Sequence, residues 1–250
     1  VVTEAGFGSD LGAEKFMDIK CRVGKLKPNA VVLVATVRAL KHHGGGDLKV
    51  GLENLGKHLE NLQLFKVPIV VALNKFTQDT ADEIKLVQDY CLEKGVQAQL
   101  SEVWAKGAKG GQALAKAVLI LINQPVKFKP LYHPRVGVKE MVETIATKIY
   151  GAKSVQWSAK AKKDIKRYQD WGIDNLPVCI AKTQASLSDN PKLLGRPKNF
   201  EVTVKQVRLN HGAGFYVIIA GNVMRMPGLP KVPASEVINL NKQGKVVGLF

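Results

Sequence analysis

The sequence predicts an α/β fold, a parallel sheet flanked by helices, followed by a smaller α+β region. Three observations predict it. Residues 67–76 are a nearly continuous apolar run, the mark of a strand covered on both faces. Strand and helix patterns alternate between residues 30 and 122 at the spacing of βαβ units, which implies parallel strands. Past the stretch Gln124-Pro125-Val126-Lys127-Phe128-Lys129-Pro130 the pattern changes to shorter strand-like segments. The chain therefore divides into residues 1–124 and 125–250.

A length of 250 residues is enough to bury a substantial core, and 46% hydrophobic with 23% charged residues is the balance of an ordinary globular protein. No apolar run approaches the ~20 residues that span a bilayer. The opening Val1-Val2-Thr3 does not read as a signal peptide; it reads as the inside of a strand, so upstream sequence is expected. Cys21, Cys91 and Cys179 are scattered, with no CxxC spacing, which argues for a reducing compartment and against a disulfide framework or a zinc site. The five histidines form no HExxH. A net charge of +16 suggests nucleic acid first, but the charge is spread along the chain and aromatics are only 6%. Small polyanions explain it equally well.

Residues 1–5 read as a strand end, leading into Gly6-Phe7-Gly8-Ser9-Asp10-Leu11-Gly12. Ser9 or Asp10 can cap a helix running to about residue 19. The glycine spacing is a near relative of the dinucleotide fingerprint, in which backbone approaches a phosphate at a helix start. No acidic residue follows at the right distance, so a tight turn is the plainer reading. The next strand, about 30–36, reads as fully buried and ends in Val34-Ala35-Thr36-Val37-Arg38-Ala39-Leu40-Lys41-His42-His43-Gly44-Gly45. Arg38, Lys41 and two histidines at a strand end suit an anion at the carboxyl edge of an open sheet, or make a plain polar strand-to-loop transition.

Residues 48–65 place Leu52, Leu55, Leu59 and Leu62 at helical spacing. Within them Gly51-x4-Gly56-Lys57-His58 nearly spells a phosphate-binding loop. His58 stands where Ser or Thr must bind magnesium, and the stretch lies inside a helix, so it is rejected. After the strand at 67–76, Thr80-Ala81-Asp82-Glu83 is a capping box and Gly95 a helix stop. A strand at 96–100 and a helix at 111–122 complete this part. Asn74-Lys75-Phe76 and Ser101-Glu102-Val103-Trp104-Ala105-Lys106-Gly107 stand at the carboxyl ends of neighbouring strands. Two aromatic faces there can sandwich a flat heterocycle, each offset stack worth roughly 0.5–1.5 kcal/mol. Core packing of Phe76 and Trp104 is the alternative.

Residues 138–150 predict a helix closed by Gly151, with Met141, Ile145 and Ile149 on one face. Ser158 caps another, to about residue 171, carrying Lys160, Lys162, Lys163, Lys166 and Arg167. Strand-like segments follow at 176–181, 200–207, 215–219, 237–240 and 246–249. Asn241-Lys242-Gln243-Gly244 is a hairpin turn, and residues 226–230 read as a rigid loop.

The dodecamer at 34–45 resembles a signature of the formate–tetrahydrofolate ligases, and Thr3-Glu4-Ala5-Gly6-Phe7-Gly8-Ser9-Asp10-Leu11-Gly12-Ala13-Glu14-Lys15-Phe16 is similar to another of their stretches. The likeness runs from Thr3 to Phe250. It includes Ala181-Lys182-Thr183-Gln184-Ala185-Ser186-Leu187-Ser188 and residues 224–230, to which no chemistry attaches. The resemblance implies a P-loop NTPase-like main domain incomplete at its N-terminus, with 1–124 its folate- and nucleotide-binding part and 125–250 a C-terminal α+β domain. It implies ligation of formate to tetrahydrofolate through formyl phosphate, giving 10-formyltetrahydrofolate, with ATP, Mg2+ and optionally a monovalent cation. It further implies a cytoplasmic homotetramer that binds neither nucleic acid nor membrane.

By the same resemblance Phe76 and Trp104 stack the pterin, and Phe7, Gly8 and Leu100 border the nucleotide. The basic helix at 158–171 would attract a polyglutamyl tail, or simply be a solvated face. The family's P-loop is absent from this sequence, and the loop at 44–47 is shorter than the family's usual one. The catalytic residues are therefore expected in an N-terminal part not present here, and a polypeptide starting at Val1 is expected not to turn over. Two alternatives stay open. One is a non-catalytic folate- or nucleotide-binding fragment or homologue. The other is a GTPase-like or nucleic-acid module, suggested by Asn74-Lys75 (with Thr77 where an Asp would read guanine) and by the charge.

Overall fold

A computed structural model of the chain describes residues 1–223 and 231–248. Its first sheet is parallel throughout, in the order β1 (Val31–Ala35), β2 (Ile69–Asn74), β3 (Gln97–Ser101). Helices α2 (Val37–His43) and α3 (Leu48–Gln63) connect β1 to β2, and α4 (Ala81–Glu93) connects β2 to β3. Their apolar stripes meet the sheet in one core that includes Leu52, Leu55, Leu59 and Leu62 of α3, Val71 and Leu73 of β2, and Val87 and Cys91 of α4. The short α5 (Val103–Lys106) and a 3-10 turn at Gly107–Gly111 precede α6 (Gln112–Ile122), which also packs against β2 and β3.

The second sheet is mixed, in the order β4-β6-β7-β5: β4 (Ser154–Trp157) runs parallel to β6 (Glu201–Asn210), β6 antiparallel to β7 (Phe215–Ala220), and β5 (Val178–Ala181) parallel to β7. Helix α7 (residues 138–150) and α8 (Ala159–Asp170) pack with it. Met17 and Cys21 of the first helix, α1 (residues 9–24), and Phe65 and Val67 share its core. A last helical turn, α9 (Ala234–Val237), precedes the hairpin β8 (Asn239–Leu240) and β9 (Val246–Val247), closed at Asn241–Gly244 as its turn residues predict.

The α/β reading with a parallel sheet and flanking helices therefore holds, as do the caps at Thr80 and Ser158. Thr80 and Glu83 form a reciprocal capping box, and Ser158 accepts from the Ala161 amide. Several local expectations are corrected. Residues 1–5 form no strand, because no neighbouring strand pairs with them. Strand β1 is not fully buried: Val32 and Val34 are 41% and 59% exposed, on the face that Val70 and Ala72 of β2 share in register. The Val34–Gly45 signature does not pass into a loop, since Thr36 caps α2 through the Ala39 amide. Strand β4 and the turns at 103–111 were not foreseen, and Val237 ends a helical turn instead of starting a strand. Residues 226–230, read as a rigid loop, and Leu249, read as a strand end, lie outside the described residues.

Candidate functional site

The carboxyl ends of β2 and β3 carry the two predicted aromatics outward. Asn74 and Ser101 are register partners, and the Lys75 amide donates to the Ser101 carbonyl, so the two strand-end loops start side by side. Lys75 Nζ lies 3.4 Å from Glu102 Oε1, and Lys106 Nζ 2.6 Å from Glu102 Oε2. Hydrogen bonding from Lys106, then from Lys75, holds the Glu102 carboxyl below its ordinary range. This ion triad ties the loop of Phe76 to the turn of Trp104. The Phe76 amide in addition donates to Asp79 Oδ2 at 2.8 Å, closing its own loop. Phe76 is 47% and Trp104 77% exposed, which decides against core packing. Large rings held at the surface of two braced loops offer apolar area to something outside the chain.

The second locus is the turn before α1. Phe7 is 77% exposed and has φ +63°, a left-handed conformation that a bulky side chain rarely adopts. The Gly8 carbonyl accepts from the Leu11 and Gly12 amides. Gly12 must be glycine, since a Cβ there would stand 1.7 Å from the Gly6 carbonyl oxygen. Ser9 and Asp10 were expected to cap this helix. Instead they sit inside its first turn and are buried, because distant side chains claim them. The Ser9 amide (3.3 Å) and hydroxyl (2.7 Å) both donate to His58 Nδ1, and Asn61 Nδ2 donates to the Ser9 hydroxyl at 3.2 Å. Asp10 Oδ2 lies 2.7 Å from Lys182 Nζ, which also donates to the Thr183 and Ser186 carbonyls.

Sequence reasoning therefore missed three contributors. The false phosphate-loop stretch supplies His58, one residue after Lys57, and its Gly51 permits α3 to approach α2, because a Cβ would stand 1.9 Å from the Leu40 carbonyl oxygen. Asn61 follows one turn later on α3. Lys182 gives the 181–188 segment a concrete role: it reaches back 172 positions in sequence to the α1 turn.

Leu100 stands half-buried on β3, opposite Leu73 of β2 in register. Phe76, Trp104 and Leu100 are thus brought to one pair of strands, while Phe7 and Gly8 are held through α3. No ring contact joins Phe7, Phe76 and Trp104 among the described residues. Of the basic dodecamer, Lys41 pairs with Glu83, His43 Nδ1 accepts from the Gly195 amide, and Arg38 is exposed. On α8, Lys160 and Arg167 lean on Asp164, and Lys162, Lys163 and Lys166 face solvent. Among the described residues no group of three or more His, Cys, Asp or Glu side chains is arranged to hold a metal ion. No helix among them is long and apolar enough to cross a membrane.

A family model described as formate–tetrahydrofolate ligase matches residues 1–250, the whole of the chain. The chain therefore belongs to the formate–tetrahydrofolate ligase family.

Proposed function

We propose that this chain carries the folate-binding half of an ATP-dependent formate–tetrahydrofolate ligase site, with the pterin ring held between Phe76 and Trp104. The observation that carries the reading is the pair of exposed rings on adjacent strand-end loops, locked together by Lys75, Glu102 and Lys106. Offset stacking on two faces contributes roughly 0.5–1.5 kcal/mol per ring beyond area burial. Bracing the loops before the ligand arrives lowers the ordering cost of binding. The held N10 amine would then attack the formyl carbon of formyl phosphate: the new C–N bond would replace the C–O bond to phosphate, inorganic phosphate would leave carrying the N10 proton, and the gain would come from orientation.

Phe7, Gly8 and Leu100 are assigned to the adenine side of ATP. No glycine-rich loop with a phosphate-binding lysine after a strand occurs in these 250 residues, so formation of formyl phosphate is assigned to residues outside them. Among the described residues no group of three or more His, Cys, Asp or Glu would hold a metal ion. In this reading residues 1–124 belong to a P-loop NTPase-like main domain and 125–250 form the C-terminal domain.

Isothermal titration with tetrahydrofolate tests the assignment. Wild type should bind saturably. Trp104→Ala and Phe76→Ala should each weaken binding about tenfold, the equivalent of ~1.4 kcal/mol. Binding that is saturable but indifferent to both substitutions would move the pterin elsewhere. Uptake of mixed-sequence RNA or DNA with a steep salt dependence, and no folate binding, would favour a nucleic-acid module instead.

A further inference from the structure

Phe7 is held in a conformation that its own burial does not repay. A left-handed backbone costs a bulky residue roughly 1–3 kcal/mol and persists only where its surroundings over-determine it. Its ring gains no burial in exchange, being 77% exposed. The surroundings that fix it come from elsewhere in the fold. The two residues after Gly8 are pinned by side chains of two separate elements: His58 and Asn61 of α3 on Ser9, and Lys182 beyond β5 on Asp10.

The hydrogen-bond chain has a fixed direction. Because the Ser9 amide can only donate, Nδ1 of His58 is the acceptor, the Ser9 hydroxyl donates to the same nitrogen, and that hydroxyl accepts from Asn61. Only the neutral imidazole with its proton on Nε2 supports this pattern. The groups facing the ring are Asp10 of α1, Lys182 beyond β5, Lys57 on its own helix and His43 of α2. Burial, with Lys182 and Lys57 adding positive charge, outweighs Asp10 and lowers the pKa of His58, so the neutral form prevails.

We propose that His58 is a positioning residue for the nucleotide: its Nδ1 accepts from the Ser9 hydroxyl and amide and so holds the preceding Phe7 ring in place to receive a purine base. The inference rests on the assignment of Phe7 to the adenine side of ATP. His58 itself touches no substrate. Protonation of Nδ1 removes the acceptor, forces the Ser9 turn to let go and weakens the nucleotide without touching the folate loops, which are braced by a different ion triad.

Four proteins, titrated with ATP and separately with tetrahydrofolate, test this: wild type, Phe7→Ala, His58→Leu and His58→Asn. Asn places an amide oxygen about where Nδ1 stands and does not titrate. His58→Leu should weaken ATP about tenfold, as loss of a buried hydrogen-bond acceptor does, and leave tetrahydrofolate affinity unchanged. His58→Asn should stay close to wild type. As pH falls below the ordinary histidine value, wild type should lose ATP affinity relative to His58→Asn, a ratio in which the titration of ATP itself cancels.

Equal ATP affinity in wild type and His58→Leu, with Phe7→Ala weakened, would overturn the positioning role and leave the Phe7 assignment standing. Loss of both ligands in His58→Leu would make His58 merely structural. ATP affinity unchanged in Phe7→Ala would overturn the assignment and the proposal together. Should His58→Leu fail to fold, the pH dependence of the wild-type to His58→Asn ratio decides, and a flat ratio contradicts the proposal.

Discussion

Glu14 and Asp18 set an unusual pH response. Both are fully buried one turn apart on α1; neither Glu14 oxygen nor Asp18 Oδ2 has a hydrogen-bond partner. Burial drives both carboxyls up, Glu14 from 4.5 to about 8. The folded chain then keeps a proton that the unfolded chain has released, so the contribution of Glu14 is fully present below pH 4.5 and lost as pH rises through about 8. Glu14→Gln has no proton to lose. In thermal melts its stability should gain on wild type steadily from pH ~5.5 to ~8.5; parallel melting curves across that range would contradict this. His58 acts in the opposite sense. Its lowered pKa gives stability that is complete above 6.5 and falls as pH drops through the folded-state value. At Phe7, Asn tolerates a left-handed backbone. Phe7→Asn should therefore raise stability by up to about 1 kcal/mol in chemical denaturation while ATP affinity drops. The strand-end positions of the aromatics at 76 and 104 were legible because each lies two or three residues past the end of a strand. Ser9 was misread as a cap because its partner His58 lies 49 residues away, and short polar side chains before a helix signal capping whatever distant group claims them.

Among the elements, α4 shows what local sequence can specify. Its capping box is exposed and depends only on residues three apart, so Thr80→Ala should cost about 1 kcal/mol in urea denaturation, with tetrahydrofolate binding unchanged. Helix α3 was legible from its leucine spacing, and its polar face was not. Gly51, Lys57 and His58 looked like part of a failed phosphate loop, but together with Asn61 they serve contact with α2, with the Lys148 carbonyl and with the α1 turn. Helix α1 hides more. Its wide π turns at Ser9–Ala13 and Phe16–Lys20 leave no mark in a 3.6-residue pattern, although such turns gather where side chains must be re-aimed. Strand β1 was over-read as doubly covered because an apolar run reports hydrophobicity and cannot report which face meets a neighbour. Strand β4, four residues long, is too short for alternation to show.

At the scale of the whole molecule, the parallel order β1-β2-β3 followed from alternation of patterns, and the mixed β4-β6-β7-β5 order did not, because pairing between strands about 50 residues apart is set by packing. Of the 37 basic residues, Lys41, Lys75, Lys106 and Arg196 near the parallel sheet are each tied to an acid, whereas Lys162, Lys163 and Lys166 on α8 face solvent. What the edge of that sheet presents freely is aromatic area on braced loops. The most direct test is a crystal structure of the chain soaked with tetrahydrofolate. The pterin ring should lie between Phe76 and Trp104, with the Lys75–Glu102–Lys106 triad unmoved. A pterin bound anywhere else, with both rings still open to solvent, would contradict the account.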